Sequence, residues 1–356
     1  MRVALIGSPY SGKSTLFAAV AESGGSQVHL DRADQEHLAT VKVPDERLFW
    51  LEEVYKAKKR THAEIEFLDV PGFDLTTDAS RQRARGFWQG VRGSEAVVLV
   101  LRNFDNPSAP PYRDRIDIAA DLEELKSEML FADLEQVAAR IEKLQAAVKK
   151  PSADRDEQTK ELNLMLRLQE TLESEKPLSS AVTSQAEEKM VRAFSFLTLK
   201  PAIVVVNCDE GKVPAQPPET VGGYPAIYLA AKIEAEIAHL PASERGEFLE
   251  AMGIAEPVSD RLIRLCYKTM NLVSYLTAGE KEVRAWTVAA GSNAVEAAEE
   301  IHSDIARGFI RAEIVAYADL KTAGSEKAAK AAGKYRLEGK TYIMQDGDVV
   351  IFRFNV

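Results

Sequence analysis

The chain has 356 residues, 46% of them apolar, and a formal net charge of −10. This composition supports ordinary buried cores in two or three domains and excludes wholesale disorder. The acidic balance excludes a protein that coats nucleic acid by bulk charge, so no DNA partner is expected.

Cys208 and Cys266 are too few for a disulfide framework and lack metal-ligand spacing. No run of about eighteen apolar residues marks a bilayer span, and MRVALIGSPYSGKST lacks a basic leader with a long apolar core. A cytoplasmic, mostly monomeric protein without membrane contact is the expectation.

In chain order, Arg2–Ile6 reads as a strand, followed by a glycine-containing loop and a helix beginning near Lys13. Glu64–Leu68, Ala96–Leu101 and Ala202–Val206 read as further strands, the last two apolar enough for the centre of a parallel sheet. Strands alternating with helical stretches give an α/β, doubly wound domain over 1–120 and 196–278, helical in its last stretch to Ala278. Between its halves, 121–195 reads as two antiparallel helices. Leu122, Leu125, Met129, Leu134, Val137, Ile141, Leu144 and Val148 share one face, and Pro151 ends the run. From 279 to 356 the texture changes. Strands are expected at Glu282–Val288 and Gly308–Val315, a helix over Ala294–Ala306 capped by Asn293 and Glu296, and a final hairpin turning at Asp346-Gly347. That order suggests a small C-terminal β-grasp domain.

Gly7-Ser8-Pro9-Tyr10-Ser11-Gly12-Lys13-Ser14, followed by Thr15, matches GxxxxGK[ST] between a strand and a helix. Successive backbone amides there can cradle phosphate. Lys13 is the residue type that reaches β and γ oxygens, and Ser14 one that ligates Mg2+. Asp69-Val70-Pro71-Gly72 follows the second strand, where Asp69 can hold the metal and the Gly72 amide can meet a γ-phosphate. The next residue is Phe73, which cannot orient a water as a glutamine there would.

Asn207-Cys208-Asp209-Glu210 ends the fourth strand where a guanine reader would carry Asn-Lys-x-Asp. Glu210 is one methylene longer than the aspartate and Cys208 offers no lysine stem, so guanine preference is given up. Asn207 keeps a polar side chain for the base or its loop, and the backbone at Ala230 and Ala231 is expected to line the base pocket. Two basic stretches, Lys56 to Arg60 and 321–340, could serve RNA or simply face solvent.

With these elements in order, the chain resembles the YchF family, the Obg-like ATPases. LTAGEKEVRAWTV (276–288), IHSDIARGFIRAEIV (301–315), AAGKYRLEGKTYIMQDGDVVIFRFNV (331–356), AFSFLTLKP (193–201) and VPDERL (43–48) carry the resemblance. It implies a P-loop G-domain with an inserted helical hairpin and a C-terminal TGS domain of β-grasp fold. It also implies ATP preferred over GTP, slow Mg2+-dependent hydrolysis, and association with the ribosome or ribosomal RNA. The chain departs from the family where Ala33 stands in the place of a first-switch threonine. It departs again where 73–80 lacks a glycine-rich stretch, and where 103–111 lacks a histidine. Three functions therefore stand open: a slow ATPase, a nucleotide-sensing ribosome adaptor without turnover, and a GTPase.

Overall fold

The computed structural model describes residues 1–26, 28, 34–151, 153–254 and 256–355. They fall into two compact units, Met1–Ala39 with Glu66–Val258 and Thr40–Ile65 with Ser259–Val356.

The first unit is built on a sheet whose strands run in the order His37–Lys42, Glu64–Asp69, Arg2–Gly7, Ala96–Asn103, Ala202–Cys208, Tyr224–Leu229 and Thr220–Val221. The five from Glu64–Asp69 to Tyr224–Leu229 are mutually parallel. Helices cover such a sheet on both faces, which is why Val3–Ile6, Ala96–Leu101 and Ala202–Val206 are unbroken apolar runs and all buried. The register sets Leu5 opposite Asp69, Gly7 opposite Val100, and Asn207 opposite Leu229. The carboxyl ends of the central strands thus lie together, the edge where open α/β sheets bind ligands.

The helical insertion holds Ile118–Ala147, a 30-residue helix, Arg155–Glu173, and beyond the two helices expected a third, Gln185–Arg192, whose Val191 joins their core. Asp117 caps the first by accepting a hydrogen bond from the Ala120 amide. The expected apolar seam is present but serves two cores. Leu122, Leu125 and Met129 pack into the sheet core with Phe73, Trp88 and Leu197. Val137, Ile141 and Leu144 meet Leu164, Met165, Leu168 and Leu172 of the second helix.

The second unit holds a sheet in the order Arg336–Glu338, Phe309–Ala316, Asp348–Phe354, Leu272–Ala278, Val283–Ala289 and Arg60–Thr61. Helix Ala294–Ile301 carries the expected capping box, Asn293 accepting from the Glu296 amide and Glu296 accepting from the Asn293 amide. Two expectations are corrected. Residues up to Ala278 are not all helical, because Leu272–Ala278 pairs antiparallel with Val283–Ala289 along its whole length. A boundary at 278/279 would therefore fall between two paired strands, and the unit also takes in 40–65. The final hairpin is not formed either, since only Asp348–Phe354 is strand. The preceding segment is held to a different partner, with the Met344 amide donating to Ser292 O at 2.9 Å and Tyr342 O accepting from the Ala294 amide at 2.9 Å. Asp45 and Arg47 of VPDERL have a use here: Arg47 is gripped by the Asp45 carboxylate and reaches Asp346 at 2.8 Å. The basic stretch is partly neutralised, with Lys330 on Glu326 and Lys334 on Asp319.

Candidate functional site

The P-loop turns on two residues of left-handed backbone, Tyr10 at φ 59° and Gly12 at φ 82°. Gly12 must be glycine for a second reason, since a Cβ there would collide with the amide nitrogen of Asn207. At Gly7 a Cβ would lie 2.5 Å from Val100 O and 2.8 Å from Ser11 Oγ. Helix Lys13–Ser23 begins with no side-chain cap and no acid in its first turn, so its leading amides are left to an anion. Ser14 is half-buried and Thr15 exposed at this end.

Lys13 is 5% exposed and its ammonium is paired with Asp69, itself 2% exposed. Burial pushes the lysine below its ordinary range, and the Asp69 carboxylate opposes that shift. Two buried polar atoms at this end have no hydrogen-bond partner, Ser11 Oγ and His37 Nδ1. Gly72 packs against the loop so closely that a Cβ would lie 2.9 Å from Pro9 Cα. The Phe73 amide donates to Gly7 O at 2.9 Å, whereas its ring is fully buried against Trp88 with centroids 4.5 Å apart. Leu75 is then pinned: its amide donates to the Tyr112 hydroxyl at 2.9 Å, and its carbonyl accepts from Arg81 at 3.0 Å and Arg113 at 3.2 Å.

Beside the loop opens a cavity of about 650 Å³ lined by Tyr10, Gly12, Thr15, Phe104, Asn207, Cys208, Glu210, Ala230 and Ala231 among others. Asn207 is a brace. Its Nδ2 donates to Ser11 O at 3.1 Å and its Oδ1 accepts from the Ala231 amide at 2.9 Å, joining the two walls. Cys208 is buried, with its thiol pushed up by burial, which makes it a poor nucleophile. Glu210 is exposed at the rim. Asp209 turns instead toward Lys212 at 2.7 Å and the Asp105 amide at 3.3 Å; the Lys212 ammonium holds its carboxyl below the usual range.

Three participants escaped sequence reasoning. Arg102 is 2% exposed and donates to the carbonyls of Tyr10, Phe104, Ala109 and Pro110 at 2.8–3.3 Å, with its guanidinium 4.5 Å from the centre of the Phe104 ring. The signal was a lone cation ending an apolar strand. Phe104 gives the cavity an aromatic wall. His37 stands 4.0 Å from Asp69. Ala33 lies outside the described residues.

One end of the site thus suits phosphate and the other a flat ring. Among the described residues no group of three or more His, Cys, Asp or Glu gathers as a metal cluster. Mg2+ needs none, since one or two protein oxygens and nucleotide phosphates commonly hold it. Asp69, Ser14 and the orphaned Ser11 hydroxyl fit that requirement.

Comparison with known proteins gives a consistent result. A family model, YchF-GTPase_C, described as a protein of unknown function (DUF933), matches residues 272–355. The ribosome-binding ATPase YchF of Bacillus subtilis (strain 168) is 39% identical over 365 residues, covering 99% of this chain and 98% of the relative. Obg-like ATPase 1 of Oryza sativa subsp. japonica is 32% identical, covering 100% of this chain and 92% of the relative. Among solved structures, the Schizosaccharomyces pombe YchF GTPase superposes with a TM-score of 0.85 at 28% identity, covering 99% of this chain and 97% of that one.

Proposed function

The chain belongs to the YchF family of Obg-like ATPases, and from that premise we propose that it binds ATP with Mg2+, hydrolyses it slowly, and associates with the ribosome according to its nucleotide state. The observation that carries the reading is the buried Lys13–Asp69 pair beside a loop whose Gly7 and Gly12, with Gly72 packed against it, leave no room for a side chain.

The chemistry follows from charge. A triphosphate arriving at the loop gives the Lys13 ammonium a stronger partner than one carboxylate, and the backbone amides before Lys13 supply aligned donors. Lys13 then leaves Asp69, whose freed oxygens, with Ser14, are the residues to hold Mg2+. When bound, that ion neutralises developing charge on the phosphates. Slow turnover is supported by Phe73, whose ring is committed to the core, and by the absence of histidine from 103–111.

Adenine preference rests on the cavity. Glu210 at the rim and Cys208 in the lysine position leave no carboxylate and stem arranged for guanine, and Asn207 spends both polar atoms on the protein. Calorimetry with non-hydrolysable ATP and GTP tests this: ATP should bind more tightly, and Lys13→Ala should abolish binding of both. Tighter GTP binding would overturn the base assignment. Phosphate release no faster than in Lys13→Ala would identify an adaptor without turnover. Association with the ribosome is supported by the names of the relatives; co-sedimentation that fails in every nucleotide state would refute it.

A further inference from the structure

His37 opens the strand His37–Lys42, within the first-switch segment 31–40, and lies at the phosphate end of the site. Its side chain is 16% exposed, and its ring is tilted against the buried Phe17 ring with centroids 6.4 Å apart. Nδ1 is shut off from solvent and makes no hydrogen bond. It faces Asp69 Oδ2 at 4.0 Å, while Oδ1 of the same carboxylate takes the Lys13 ammonium. Four ångströms is too long for a direct hydrogen bond and suits two groups that share one small ligand. A buried nitrogen without a partner is costly, and native structures keep few of them unless something else satisfies them.

We propose that His37 is a positioning residue for the divalent cation, its Nδ1 placed to accept a hydrogen bond from a water that the cation would hold beside Asp69. The proposal rests on the nucleotide reading above and goes beyond it by giving this chain a group that addresses the metal from the strand His37–Lys42. Mg2+ gives up its water reluctantly and prefers oxygen, so an imidazole at this distance acts through water. Loss of such an outer-shell partner commonly lowers metal affinity by about 10–100-fold. The Phe17 ring packs against the imidazole at a 44° tilt, and Nδ1 is turned toward Asp69.

The test separates metal from nucleotide in the full-length chain. Non-hydrolysable ATP is first titrated in the presence of a chelator, and MgCl2 or MnCl2 is then titrated into the nucleotide-loaded protein. His37→Ala and His37→Phe, the second keeping a ring against Phe17, should both lose about tenfold in metal affinity. Their metal-free nucleotide affinity and melting temperature should stay near wild type. His37→Asn, whose amide oxygen can accept, should recover most of the loss. In a Mn2+-loaded sample, the electron spin resonance of the ion should change in His37→Phe. Wild-type metal affinity in both His37→Ala and His37→Phe overturns the assignment, as does an equal fall of metal-free and metal-loaded nucleotide binding. A wild-type chain that binds no nucleotide overturns the parent reading and this one with it.

Discussion

Asn207 illustrates how a side chain can matter to a ligand without touching it. Its two hydrogen bonds fasten the P-loop at Ser11 to the opposite wall at Ala231, and its amide fills the space that Gly12 leaves. Asn207→Ala should cost about 1–3 kcal/mol in urea denaturation, because the Ser11 carbonyl and Ala231 amide lose partners in a buried place. ATP and GTP affinities should fall by a similar factor, since a brace reads no base; a selective loss of one nucleotide would show direct contact instead. The cradle was legible in the sequence because its chemistry is local: Gly7 to Ser14 sit between one strand and one helix. Arg102 and His37 were not. The first serves four carbonyls, which no side-chain pattern encodes, and the second meets Asp69 only because distant strands share a sheet. Glu210, expected in the base site from its place after Asn207, lines the cavity from an exposed position at its rim, while Asp209 points at Lys212.

At the scale of elements, the long helix Ile118–Ala147 is secured near its middle by Asp133, which is fully buried. Asp133 accepts from Arg92 at 2.8 Å, the Leu197 amide at 3.0 Å, and the Thr198 amide and hydroxyl at 2.8 Å each. This is the use of the AFSFLTLKP run: it delivers two backbone donors to one carboxylate. Asp133→Ala takes the countercharge from Arg92, which keeps only the carbonyls of Ala132 and Ser195, and leaves the two backbone amides without their acceptor, so it should destabilise the chain by about 3–5 kcal/mol in urea denaturation. Calorimetric nucleotide affinity measured below the transition should change little. The helix itself was plain from its apolar period. Which core each turn enters was not, because a period of 3.6 is the same against a sheet as against a helix. Leu272–Ala278 was missed for a related reason: its short apolar run follows directly on the helix Val258–Thr269, and only pairing across Gly279–Glu282 identifies it as strand.

For the whole molecule, the division into units decides which pieces can stand alone. A fragment of residues 279–356 lacks the strand Leu272–Ala278, which pairs with Val283–Ala289 on one side and with Asp348–Phe354 on the other. It also lacks Arg60–Thr61, which extends the sheet at its edge. Such a fragment should give little dispersion in an amide proton NMR spectrum, with its central strands exposing unpaired edges. Well-dispersed signals would show that the remaining strands suffice. The α/β class and the separate character of the last third were evident from composition and period alone. The part played by 40–65 was hidden, because nothing local in VPDERL announces a partner as far along the chain as Asp346.

That segment also has a particular place in the covalent chain. It leaves the nucleotide-binding unit just after Ala39, two residues past His37, and returns at Glu66, three residues before Asp69. Both of its feet therefore stand on the strands that carry the two groups facing each other across 4.0 Å. The covalent path from His37 to Asp69 thus runs wholly through this segment.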